Sequence, residues 1–110
     1  MSAVDVVQRQ FDAYNAQDIE AFCATYADDC IIALYAGETL QAGKAAIRAR
    51  YSKSWAEYPK NRAWSVSRIA RGDVVIDHEK GERSPEGPFF EAIVIYTVKG
   101  DQIVRVDFIQ

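Results

Sequence analysis

The hydrophobic period of this chain changes around Pro59, and that change limits what it can fold into. Upstream, Val4, Val7, Phe11 and Tyr14 recur at spacings of three, four and three, which is one face of a helix. Asn15-Ala16-Gln17-Asp18 interrupts the pattern. Asp18 then suits the N-cap of a second helix whose Ile19, Phe22, Cys23 and Tyr26 share a face, and Ala27-Asp28-Asp29 ends it. A third stripe, Ile47, Tyr51, Trp55 and Tyr58, is stopped by Pro59, which cannot continue a helix. Between the second and third helices, the brief apolar run 30–35 reads as a buried strand, and Gly37 and Gly43 bracket a shorter extended piece.

Downstream of Pro59 the chain is β-rich. Trp64, Val66 and Ile69 mark a strand over 62–70, Arg71-Gly72-Asp73 turns the chain, and 74–79 follows as a strand. After a loop at 84–88, residues 89–98 are nearly all apolar, as in a central strand covered on both faces. Lys99-Gly100-Asp101-Gln102 turns again. The last strand alternates, with Val104, Val106 and Phe108 on one face and Arg105 and Asp107 on the other. Helices followed by strands joined by short turns predict an α+β fold in which a curved antiparallel or mixed sheet wraps around three helices from the N-terminal half.

A chain of 110 residues is expected to form a single domain spanning 1–110, and 49% hydrophobic residues with 26% charged are enough to fold unaided. The formal charge of -3 opposes binding to phosphate backbones and anionic lipid, so neither nucleic acid nor membrane is expected as a partner. The local basic run Lys44, Arg48, Arg50, Lys53, Lys60 and Arg62 lacks an accompanying aromatic-rich motif and reads as a solvated helix face. No apolar run approaches the ~20 residues of a membrane span, and the N-terminus has no basic-then-apolar leader, so the expectation is a cytoplasmic protein. Cys23 and Cys30 lack metal-type spacing and read as buried reduced thiols. Neither metal nor cofactor is expected.

The most concentrated polar feature is Asp77-His78-Glu79. Alternation puts Asp77 and Glu79 on one face with Val75, and His78 on the other with Val74 and Ile76. Alternation alone leaves open which face is enclosed; a strand in water carries such charges too. If the carboxylates face inward, two of them about 7 Å apart resist joint ionisation, which yields an acid and a base in one place. His78 is a proton carrier by its ordinary titration range, and a structural histidine on the opposite reading. Arg50 lies beside the apolar stripe of the third helix, where it either enters the interior or joins Arg48 and Lys53 in solvent. Tyr14, Tyr26, Tyr35, Tyr51, Trp55, Trp64 and Tyr96 serve either as core or as cavity wall. Asp107, opposite Val104, Val106 and Phe108, is a reserve candidate.

Val6-Val7-Gln8-Arg9, Asn15-Ala16-Gln17-Asp18, Tyr26-Ala27-Asp28-Asp29, Gly43-Lys44-Ala45-Ala46-Ile47-Arg48 and Gly100-Asp101-Gln102-Ile103-Val104 look like bacterial ketosteroid isomerases in content and spacing. Over nearly its whole length the chain resembles the nuclear-transport-factor-2-like superfamily, on its ketosteroid-isomerase and SnoaL side. The resemblance implies a cystatin-like cone with a mostly apolar pocket for a hydrophobic small molecule, and a homodimer through the outer sheet face to which Ile93 and Ile95 contribute. It places Gln10, Tyr26, Leu34, Tyr51, Trp55, Val94, Tyr96, Val106 and Phe108 on the pocket wall. It also turns the Asp77 and Glu79 face inward and puts Arg50 where an aromatic side chain lines the isomerase pocket.

The isomerase positions themselves are changed. The tyrosine's place is taken by Gln10, the base's by Leu34, and the protonated acid's by Val94. Neither Leu34 nor Val94 can exchange a proton, which argues against steroid isomerisation by the family mechanism. The resemblance implies instead a SnoaL-like enzyme performing proton transfer, cyclisation or hydration on a hydrophobic carbonyl compound. Asp77 or Glu79 would be the base and Arg50 and Tyr14 the polarising donors, and neutralising either carboxylate would leave stability almost unchanged. The alternative is a non-catalytic ligand-binding or dimeric scaffold domain.

Overall fold

The computed structural model describes all 110 residues. Helix α1 (Ala3–Ala16) is started by a capping box in which Ser2 accepts from the Asp5 amide while the Asp5 carboxylate accepts from the Ser2 amide. It runs through Asn15 and Ala16, beyond the predicted break, and ends at Gln17, which adopts a left-handed conformation with φ 53°. Helix α2 (Ile19–Ala24) is capped by Asp18, whose Oδ1 accepts from the Ala21 amide. Strands β1 (Tyr26–Leu34) and β2 (Thr39–Ala42) precede helix α3 (Lys44–Glu57), and β3 (Arg62–Arg71), β4 (Val74–Glu82), β5 (Phe89–Lys99) and β6 (Gln102–Ile109) complete the chain.

Two boundaries differ from the sequence reading. Tyr26 opens β1 instead of closing the second helix: it pairs with Ile103 across β6, and the Ile103 amide donates to the Thr25 carbonyl. Strand pairing at long range outweighs the local helical spacing. Strand β4 continues to Glu82, fully paired with β5, because polar residues 80–82 satisfy the ladder as well as apolar ones do.

The six strands form one sheet in the order β2-β1-β6-β5-β4-β3. It is mixed: the β1–β6 pair is parallel and all others are antiparallel. The curled, unclosed sheet carries the helices on its concave side, in the cystatin-like cone that the resemblance implies. The apolar faces of α1, α2 and α3 supply Val6, Val7, Phe22 and Ile47 to the core, where they meet Ile32, Val75, Val94, Ile103 and Val106 from the sheet. Cys23 and Cys30 are free and buried, and burial pushes the Cys30 thiol up to about 12. No helix is long and apolar enough to cross a membrane. On the convex side Ile69, Ile76 and Ile95 stand side by side across β3, β4 and β5, on the face that the resemblance assigns to a homodimer.

Candidate active site

Between the helices and the sheet lies a partly enclosed cavity of about 130 Å³, lined mainly by hydrophobic side chains. That is a little less than the roughly 150 Å³ of a cavity that holds one benzene. Its floor comes from the inward residues of β5 and β6, among them Ala92, Tyr96, Val106 and Phe108. Helices α1 and α3 close the other side with Gln10, Phe11, Tyr14, Arg50, Tyr51 and Ser54. Phe22, Tyr51 and Trp55 pack beside Tyr14 at ring separations of 6.2, 6.1 and 5.8 Å, so the tyrosine ring is fixed from three sides.

Strand β4 gives the site its carboxyl group. Glu79 lines the cavity, and the Tyr96 hydroxyl donates to its Oε2 at 2.7 Å. Burial, aided by the neighbouring Asp77, pushes the Glu79 carboxyl up to about 8 against the opposing Tyr96 hydrogen bond and Arg68 charge. Glu79 therefore exchanges its proton near neutral pH.

Asp77 shares this face but does not reach the cavity. It is fully buried and held by Arg68 from the adjacent strand, whose Nε and Nη2 donate to the two carboxylate oxygens at 2.6 and 2.9 Å. Arg68 stands directly opposite Asp77 in the β3–β4 ladder and reaches across Phe11 to donate to Gln8 Oε1 at 2.8 Å. This corrects the expectation that either carboxylate could act on a ligand: Glu79 lines the cavity and Asp77 does not.

His78 points to the convex side, where it is hydrogen-bonded to Glu91, and it is absent from the cavity wall. Asp107 is likewise outside, with Arg105 Nε donating to it at 3.1 Å. Tyr35 and Trp64 are exposed. Of the pocket residues implied by the resemblance, Gln10, Tyr26, Tyr51, Tyr96, Val106 and Phe108 line the cavity, as do Tyr14 and Arg50. Leu34, Trp55 and Val94 do not: Val94 and Trp55 are covered by core packing, and Leu34 lies at the β1 end beside Gly37.

Two residues absent from the sequence reading complete the site. Arg83 lines the cavity, and its Nη1 donates to Asn61 Oδ1 at 2.7 Å; Asn61 Nδ2 in turn donates to the Tyr14 hydroxyl oxygen at 2.7 Å. With that oxygen acting as acceptor, the Tyr14 proton remains for a ligand. Burial raises the Tyr14 hydroxyl, while the Asn61 bond and the Arg83 charge oppose the rise. Arg83 comes one residue after the end of β4, on the side that the alternation of Asp77, Glu79 and Gly81 leads to. Gly81 lets Phe90 cross the strand: a Cβ there would lie 2.1 Å from Phe90 Cζ. The Arg83 guanidinium packs 4.5 Å from the centre of that ring.

Gln10 also lines the cavity, is almost wholly buried, and has no hydrogen-bond partner at Oε1. No three His, Cys, Asp or Glu side chains come together as metal ligands would. The wall thus combines a titrating carboxyl, a tyrosine donor held through an asparagine, two guanidiniums and an apolar floor.

Comparisons with known proteins agree with this architecture. The family profile described as a SnoaL-like domain matches residues 7–106. A cystatin-fold protein from Novosphingobium aromaticivorans superimposes with a TM-score of 0.92 at 29% identity, over 100% of this chain and 99% of that one. A candidate polyketide cyclase from Sinorhizobium meliloti gives 0.80 at 22% identity, over 99% and 100% of the two chains. A candidate ketosteroid isomerase from Kribbella flavida also gives 0.80, at 19% identity, over 98% of this chain and 78% of that one. The last two likenesses speak to fold alone. No protein of curated function matches the sequence.

Proposed function

The chain belongs to the SnoaL-like domain family, and from that premise we propose that it is a general acid–base enzyme which moves a proton next to a carbonyl group in a small hydrophobic compound. The observation that carries this reading is Glu79, a carboxyl on the wall of an apolar cavity whose proton leaves at about 8. A base near the working pH combines a usable ionised fraction with enough basicity to take a carbon-bound proton. At pH 7 the protonated form predominates and the ionised base is the minority form.

In this mechanism the substrate C–H proton passes to the Glu79 carboxylate, the C–H electron pair forms a new C=C bond, and the carbonyl π pair moves onto the oxygen. Tyr14 donates its free proton in a hydrogen bond to that developing enolate, and Arg50 and Arg83 add positive charge nearby. The enolate then either takes the proton back at another carbon or attacks a second carbonyl, so isomerisation and cyclisation begin from the same step. The likeness to a candidate cyclase and a candidate isomerase supports this class of chemistry.

Proton exchange tests it without knowledge of the natural substrate. Small cyclic monoketones incubated in heavy water are expected to lose their α-proton NMR signal faster with the protein than without. The enzymatic rate should climb with pH and level off above about 8, where Glu79 is ionised. Glu79→Gln should lower it about 100-fold. A Glu79→Gln protein that exchanges at the wild-type rate would rule out Glu79 as the base. Ligand retention without exchange at any pH would favour the binding-domain reading.

A further inference from the structure

Arg50 and Arg83 both line the cavity, and neither forms an ion pair, although six lysine or arginine ion pairs form elsewhere in the structure. Arg50 gives one donor to Gln41 Oε1 at 2.9 Å and lies 5.1 Å from the Tyr51 ring centre. Arg83 gives one donor to Asn61 and packs on Phe90. Each guanidinium has five N–H groups, so most of the donors on both remain unused by protein side chains. Arg83 is linked through Asn61 to the Tyr14 hydroxyl, and Arg50 lies on the ring of Tyr51, whose centre is 6.1 Å from that of the Tyr14 ring, so both guanidiniums stand toward the same end of the cavity.

Two half-buried cations facing an apolar space favour an anion that brings its own flat apolar body. The wall's own carboxyls do not supply that anion, since Glu79 is bonded to Tyr96 and the Glu91 carboxylate is turned to His78 on the convex side. We propose that the cavity takes a small, flat hydrophobic compound bearing a carboxylate, and that Arg50 and Arg83 hold the carboxylate at the Tyr14 end. This names a substrate class for the proposed acid–base site and rests on that reading for the cavity being the working site. The cavity volume of about 130 Å³ suits one ring, with the partly open mouth taking any extension of it. Gln10, with its unpartnered Oε1 on the same wall, gives a hydroxyl-bearing ligand a further contact.

Acid and amide pairs of matched shape separate charge from size: cinnamate and cinnamamide, benzoate and benzamide, indole-3-acetate and indole-3-acetamide. In calorimetric titrations at pH 7, at least one acid is expected to bind about tenfold more tightly than its amide. Arg50→Gln and Arg83→Gln should each lower the affinity for that acid about tenfold and change that for the amide by less than about twofold. Arg83→Lys, which keeps the charge, should retain most of the preference. No preference for any of the three acids would overturn the proposal. A preference that survives in the double Arg50→Gln, Arg83→Gln variant would overturn it too. Glu79→Gln should keep the acid preference while losing proton exchange; if exchange persists in that variant and the acid preference stands, only the acid–base reading fails.

Discussion

Asp77 and Glu79 stand two residues apart on the same face of β4, and what each one meets divides their work. Asp77 receives two hydrogen bonds from Arg68 and sees no cavity; Glu79 receives one from Tyr96 and lines the wall. Removing the Asp77 charge would leave a guanidinium that is only 18% exposed without its partner. Asp77→Asn is therefore expected to cost about 2 kcal/mol in urea denaturation, below the full cost of a broken buried pair because Arg68 keeps some contact with water. A variant as stable as the wild type would show that the pair holds nothing together. The shared face of Asp77 and Glu79 was legible in the alternation of the sequence. Arg68 was not, because its place opposite Asp77 depends on a register that shifts between Ser65 and Ser67, and no spacing rule locates such a shift.

Elements show the same division between local and distant causes. Asn15-Ala16-Gln17-Asp18 reads as a helix stop, and the stop falls at Gln17 because Asn15 is engaged elsewhere. Its Nδ2 donates to the Ala63 carbonyl at 2.9 Å and its Oδ1 accepts from the Ala63 amide at 2.8 Å, so the side chain mimics a strand partner for the start of β3. This clamp joins the end of α1 to the segment that carries Asn61, and hence to the bond that orients Tyr14. Asn15→Ala leaves both Ala63 backbone groups without that partner and should cost about 2 kcal/mol of stability. It should also speed hydrogen exchange at the Ala63 amide relative to amides in the middle of β5. Unchanged protection at Ala63 would mean that β3 is held without α1. The three helices and the late strands were readable because each is dominated by its own pattern. The early start of β1 and the extension of β4 were not, because pairing partners far along the chain decide them.

For the whole molecule, the period change at Pro59 carried the fold class, since three amphipathic helices and a run of short-turn strands leave few other ways to enclose a core. The cavity was less legible, because enclosure depends on how far a sheet curls, and that is a property of all six strands together. One consequence of enclosure reaches the stability of the entire chain. Glu79 releases its proton at an ordinary 4.5 when unfolded and at about 8 when folded. Between those values the folded state holds a proton that the unfolded chain has lost, so stability falls as pH rises through that window. The shift sets an upper bound of ~5 kcal/mol on the loss. The exposed carboxylates Asp5, Glu20 and Glu91 are all shifted downward, so they titrate below the window and leave its slope alone. Denaturation midpoints measured from pH 5 to 8.5 should therefore decline for the wild type. Glu79→Gln, which has no proton to lose, should decline much less and should be the more stable protein at pH 8.5. Parallel curves for the two proteins would mean that the folded structure does not raise the Glu79 carboxyl, and the acid–base reading would lose its base with it.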